Sequence, residues 1–375
     1  MLGGTHDKPA TELYQRHEQR IRDAVTLKKP DRIPVVPNGP AWPGRALGVP
    51  ISEIATNPLI SRQTIVDAYV GLGEIDGIQS PAYHVCTLSI QWLSRVKRPG
   101  RELPRDELWQ VDEAEIMKLE DYDKIVDQGF GPWLENYYRT QLPGTLEEMD
   151  AFVATIPAAL KLCAERGVVP MTPAVATIPY EYFCGGRSMK EFLLDLFRHG
   201  DKVQAAMNAA LPVLIDNMRN MIRGLGLMGL WIGGWRSASE FVSPRLWNRF
   251  VFPYFKAMVD AAVEEGAIPV LHYDANWTRD LDRLREFPKA KCVLSLGGKT
   301  DIFRAKEILG DHMCIMGDVP PALLALGTPG DVTAYCKRLI SEIGPAGFIL
   351  SSGCDTPIDA QYDNVKAMVG AVGQV

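Results

Sequence analysis

Eight short apolar runs recur along the chain, and longer segments with helical spacing separate them. The runs cover residues 32–36, 75–80, 168–172, 228–232, 267–272, 291–296, 313–317 and 347–351. Most are apolar throughout rather than alternating, the pattern of parallel strands covered by helices. Helical spacing is read over 10–27, 61–72, 189–199, 202–224, 244–265, 278–287, 301–309 and 329–343. Ser188, Ser243 before Pro244, and Thr328 before Pro329 stand where N-caps belong. Gly224, Gly266, Gly310 and Gly344 stand where C-caps belong. Strand, helix and parallel strand repeated eight times predict an α/β fold, a (β/α)8 TIM barrel with an N-terminal helical extension. A doubly wound dinucleotide fold is disfavoured, because no GxGxxG follows the first strand.

The length of 375 residues admits two or three domains, but the strand count fits one barrel over residues 1–375. Residues 81–155, between strands two and three, are too long for a simple connection. Trp92, Arg95, Arg98, Arg101, Trp109, Trp133, Tyr137 and Tyr138 fall there. An insertion at that face of a barrel is expected to form part of a lid or pocket wall.

Charge narrows the partners. Forty basic against 46 acidic residues give a net charge of −6, and no basic tract occurs, which argues against nucleic acid. No apolar run approaches the roughly 18 residues of a membrane span. The polar start, without an apolar core, does not read as a secretory signal. Seven cysteines without a CxxC suit free thiols in a reducing cytoplasm.

Catalytic groups of a barrel lie at the C-terminal strand ends. That rule singles out His272 and Asp274 after strand five and Cys354 after strand eight, a donor set suited to zinc. The alternative is a structural histidine beside a buried inert thiol. Glu240 is a candidate general base or metal carboxylate, or else a helix cap. His84, next to Cys86, is a weaker catalytic candidate. Arg45 and Arg236 are candidates for holding an anionic substrate group. Trp235, Tyr273, Trp277 and Asp318 are expected around a substrate, with Trp231 another possible wall. Cys163, Cys292, Cys314 and Cys336 read as core, and Cys184 as ambiguous.

Several stretches carry a family resemblance. They are Pro30-Asp-Arg-Ile-Pro34, Phe241-Val-Ser-Pro244, Val270-Leu-His-Tyr-Asp274, Ile315-Met-Gly-Asp-Val-Pro320 and Gly347-Phe-Ile-Leu-Ser-Ser-Gly-Cys-Asp-Thr-Pro357. In order and spacing the chain resembles the uroporphyrinogen decarboxylase superfamily, and within it the cobalamin (corrinoid)-dependent methyltransferases. The resemblance implies a (β/α)8 barrel and zinc held by a His-x-Cys pair and a distant Cys. His272 and Cys354 match that pattern, while Asp274 replaces the middle Cys. Asp274 then either ligates, or leaves the role to Glu240 or water. The carboxylate spacing of aryl-ether-demethylating members is not matched, since Val251 stands 21 residues before His272. Of the decarboxylase's arginine-rich N-terminal stretch only Arg45 remains.

The implied activity is zinc-assisted transfer of a methyl group between a small methylated compound, such as a methoxylated aromatic, and a corrinoid. No Asp-x-His-x-x-Gly pattern is present, so the corrinoid is expected on a separate protein docking at the barrel mouth. A homodimer is compatible with these features. A metal-free decarboxylase acting on a carboxylated substrate is the alternative, and a barrel that only binds a ligand is the third reading.

Overall fold

The computed structural model describes residues 8–374; the first seven residues of the polar N-terminal stretch and Val375 lie outside them. Six strands pair in parallel in the order Phe348–Ser352, Cys314–Val319, Val293–Leu296, Ile268–Tyr273, Gly229–Gly234 and Val175–Thr177. The ring closes through shorter pieces. Val35 bridges Leu350, and Asp76 and Gln79 donate their N–H groups to Val35 and Pro37. Gly77–Ile78 then pairs in parallel with Val169–Pro170. Backbone bonds therefore run round a (β/α)8 TIM barrel. Counted round it, strand one lies at Val35, two at Gly77–Ile78 and three at Val169–Pro170 continuing to Val175–Thr177. Strands four to eight begin at Gly229, Ile268, Val293, Cys314 and Phe348.

Several boundaries differ from expectation for local reasons. Strand one is a single bridge, because Pro34 and Pro37 leave few N–H groups to pair. Strand three runs on past Pro173 to reach strand four. The helix expected over 244–265 is two helices, Pro244–Phe250 and Phe252–Glu264, with Pro253 at the start of the second. Residues Thr278–Glu286 form 3₁₀ rather than α-helix. Ser243 and Thr328 do cap, Thr328 in a reciprocal capping box with Asp331. Ser188 does not cap: its φ is 69° and its side chain makes no cap bond. Helix Gly200–Leu225 runs through Gly224 and ends at Gly226, whose φ of 61° suits a residue without a Cβ. Among the described residues no helix is long and apolar enough to cross a membrane.

Strand alternation sorts the side chains into two cores. Val169, Met171, Val270, Val293, Cys314, Met316 and Ile349 fill the barrel interior. Their neighbours Leu271, Leu294, Ile315 and Leu350 point outward into the helix layer. Further up the interior the register turns polar: Ser295 pairs with both His272 and Met316. The N-terminal helix Lys8–Val25 packs Ile21, Ala24 and Val25 against the lower interior. Buried Arg20 donates to Asp31 at 2.7 and 2.8 Å and also to fully buried Asp76. Asp76 accepts in turn from Arg32 at 3.0 Å and from the Val35 N–H at 2.8 Å, which ties the helix to strands one and two.

The hydrogen bond from Arg20 holds Asp31 down from 3.8 to about 2. A depressed carboxylate adds stability above its unfolded pKa and loses it as the pH falls through the folded value. Wild type is therefore expected to lose thermal stability between about pH 4 and pH 2 more steeply than Asp31→Asn. Superimposable melting profiles from circular dichroism would refute this link.

Candidate metal centre and substrate cavity

The polar layer at the top of the barrel interior surrounds His272, which strand five buries almost completely. Its Nδ1 lies 3.2 Å from the Ser295 hydroxyl, and the Trp231 indole stacks on the ring at 4.5 Å and 14°. Trp231 is itself held: its Nε1 donates to Gln79 at 2.9 Å, Gln79 donates to Ser351, and Ser351 donates to the Val36 carbonyl. One edge and one face of the imidazole are thus fixed, and the other nitrogen points along a set direction. That nitrogen, Nε2, is buried without a hydrogen-bond partner, 3.4 Å from Asp274 Oδ1.

Asp274 and Cys354 stand beside it, and the donor atoms of the three residues lie within 4.8 Å of one another. An imidazole nitrogen, a thiol and a carboxylate at that spacing can all reach one ion. Burial alone pushes the imidazolium of His272 down, but Cys354 and Asp274 outweigh it and raise its pKa to about 10. Burial pushes the Cys354 thiol up, although His272 opposes this. Asp274 ends below its ordinary value, because His272 beside it outweighs the burial effect. The imidazole, thiol and carboxylate form a donor set that fits a metal ion.

The cluster lines a cavity of about 310 Å³. Tyr83 and Trp109 of the insertion stack at 4.5 Å on its wall, and Trp92 meets Trp235 edge-on at 5.0 Å. Asp355 also faces it; burial lifts that carboxyl to about 6, while Asn38 donates to it at 2.8 Å. No lysine or arginine is among the described residues lining the cavity.

Other sequence candidates fall elsewhere. Tyr273 follows His272 and so points to the opposite side of the strand, stacked on Trp277 at 4.1 Å in the helix layer. Trp277 is buried with it, donating to the Asp274 carbonyl. Arg236 pairs with Glu113 at 2.7 Å and lies over the Trp92 ring rather than lining the cavity. Arg45 borders a separate surface groove with Arg105 and Asp106. Asp318 turns to the helix layer, accepting from Tyr335 at 2.7 Å, and burial lifts it to about 6. Glu240 is exposed and accepts from the Asn276 N–H at 2.8 Å. His84 forms a second close group with Cys86 and Glu148. There Arg98 donates to both Glu148 oxygens at 2.6 and 2.7 Å, a cation already seated on the carboxylate. All the core cysteines are buried, and so is Cys184.

Sequence reading missed Glu181, on helix Pro179–Arg187 and fully buried. Its Oε1 accepts from the N–H groups of Trp235, Arg236 and Ser237, each at 2.9 Å, and from the Ser237 hydroxyl. Three successive N–H groups converging on one carboxylate make an anion nest. It pins the loop after strand four, so that the Trp235 ring covers Gly233, where a Cβ would come within 2.3 Å of it. No local motif announces this, because the donors are backbone groups some fifty residues away. Glu181→Ala is expected to cost on the order of 3 kcal/mol, since four donors, the two of Ser237 buried, lose their acceptor. Glu181→Gln, which retains a carbonyl oxygen, should cost less; equal melting temperatures for wild type and Glu181→Ala would contradict the assignment.

Comparison with known proteins gives this geometry a family. The model of the family described as Uroporphyrinogen decarboxylase (URO-D) matches residues 128–375. A uroporphyrinogen decarboxylase of Chlorobium phaeovibrioides is 28% identical over 141 residues, 36% of this chain and 38% of that protein. The Coxiella burnetii enzyme of the same name is 22% identical over 245 residues, 62% of this chain and 65% of that protein. The matched stretches thus span less than two thirds of these relatives. Among solved structures, a methyltransferase from Methanosarcina mazei superposes with a TM-score of 0.72 at 17% identity, covering 96% of this chain and 98% of that one. At that identity the likeness establishes the barrel fold. With its family model matched over about two thirds of its length, the chain belongs to the uroporphyrinogen decarboxylase family.

Proposed function

We propose that this protein is a zinc-assisted methyltransferase that moves a methyl group between a small methylated substrate and a corrinoid carried by a separate protein. The observation that carries the reading is the convergence of His272, Asp274 and Cys354, donor atoms within 4.8 Å, in the lining of an aromatic cavity. A methyl group bound to oxygen or sulfur leaves slowly, because the departing heteroatom takes the bonding electron pair and becomes an anion. A zinc ion held by these three side chains supplies Lewis acidity toward that heteroatom.

The rest of the task falls to the protein. Ser295 and Trp231 hold the imidazole, so Nε2 keeps one direction. The aromatic walls bind the body of the substrate and exclude water from the reacting end. Asn38 steadies Asp355 beside the cluster. The cavity opens at the C-terminal end of the strands, where a methyl-accepting partner would dock.

The names of the curated relatives favour a second reading, decarboxylation of a porphyrinogen. A polycarboxylate substrate calls for several cations, yet no arginine or lysine is among the described residues lining the cavity. That difference ranks methyl transfer first.

Protein purified without chelator is expected to hold about one zinc per chain by elemental analysis. His272→Ala and Cys354→Ala should each lose most of it while keeping the wild-type circular dichroism spectrum, and should lose more than about a hundredfold in methyl-transfer rate. Metal-free wild type that decarboxylates a porphyrinogen at an enzymatic rate would overturn the proposal.

A further inference from the structure

We infer that His84, Cys86 and Met149 form a second metal site, one that takes a monovalent soft ion such as copper(I). The site shares no residue with the His272 cluster and stands independently of the methyl-transfer reading. The first observation is a pair of sulfurs. The Cys86 thiol, at the start of helix Cys86–Trp92, points at the Met149 thioether on helix Thr145–Val153, 4.0 Å away. Two metal–sulfur bonds of about 2.3 Å that meet at about 120° span about that distance. An ion between the sulfurs therefore keeps one trigonal position open.

The second observation is the group that fills this position. His84 is buried, and its donor atom lies within 4.8 Å of the Cys86 sulfur. The Cys86 N–H donates to His84 Nδ1 at 3.2 Å, which turns a lone pair of the ring toward Cys86. Thiol, thioether and imidazole thus converge from a loop and two helices.

The third observation is charge, and it selects the ion. Glu148 belongs to the same close group, but Arg98 donates to both of its oxygens at 2.6 and 2.7 Å. With the carboxylate engaged, the donors left over are two sulfurs and one nitrogen, a set that suits a soft ion rather than magnesium or calcium. On uptake the Cys86 S–H bond breaks, a metal–sulfur bond forms, and the proton leaves to solvent. A monovalent ion exchanged for a proton leaves the local charge unchanged. A divalent ion would add a positive charge beside Arg98, at a cost in a partly buried region.

The two helices also share the cavity wall: Thr87 and Gln91 line it from one, Met149 and Phe152 from the other. The cavity gives the ion a route to the Met149 sulfur, and the bound ion cross-links the wall.

The test is anaerobic titration of the purified full chain with copper(I) buffered by a bathocuproine chelator, with copper and zinc counted per chain. Wild type is expected to take up one copper(I) with its zinc content unchanged, and to melt about 3 °C higher or more. Cys354→Ala should take up the same copper, and Cys86→Ser none. Met149→Leu keeps the packing volume and should bind copper(I) at least tenfold more weakly, a readout that does not depend on how Cys86→Ser folds. No uptake by wild type, uptake that survives in Cys86→Ser, uptake lost in Cys354→Ala, or equal affinity in Met149→Leu overturns the inference. A second zinc per chain that Cys86→Ser removes would overturn it too, by making the site divalent.

Discussion

Eight parallel strands closed into a ring leave every second side chain no direction but inward, and the site depends on that constraint. In the lower ring the inward positions are apolar and the N-terminal helix covers them. In the upper ring the same alternation turns His272, Ser295 and Ser351 toward one another from three separate strands. Nothing local joins these residues. Their meeting follows from strand register, and so does the loss of Tyr273, which the next pleat sends to the other face.

Around that ring the structure spends buried polar groups on orientation. Gln79 links Trp231 to strand eight, Trp231 covers His272, and Ser295 holds the opposite edge. Glu181 acts similarly on the aromatic wall, gathering three backbone donors so that Trp235 lies over Gly233. Both networks are nearly closed: their polar atoms find partners, as burial requires. The Nε2 of His272, 3.4 Å from Asp274 Oδ1, is the exception in the first of them.

The cavity wall is mostly aromatic and apolar, with no arginine or lysine among its described lining residues. Arg236 is turned into an ion pair with Glu113, and Arg45 faces another groove. The insertion contributes tyrosine and tryptophan surfaces in their place. A barrel tolerates such exchange because its backbone ring carries the stability while the loops carry the recognition.

The sequence by itself carried local signals enough for the barrel and for singling out His272, Asp274 and Cys354, whose donor atoms the fold brings within 4.8 Å of one another. Apolar runs of strand length and helix caps such as Thr328 are local signals, and strand ends in a barrel share one mouth. It could not separate His272 from Tyr273 as cavity residues, or tell that Arg236, Arg45, Asp318 and Glu240 stand apart, because each lies near a strand end in sequence. Side-chain direction there is set by distant partners: Glu113 draws Arg236 aside, Tyr335 holds Asp318, and the Asn276 N–H occupies Glu240. Glu181 and Gln79 were invisible for the same reason, since their partners lie about fifty to more than two hundred and fifty residues away. Element identity is coded in short-range periodicity; the choice of which polar group faces the substrate is made by long-range hydrogen bonds, and only the folded chain contains those.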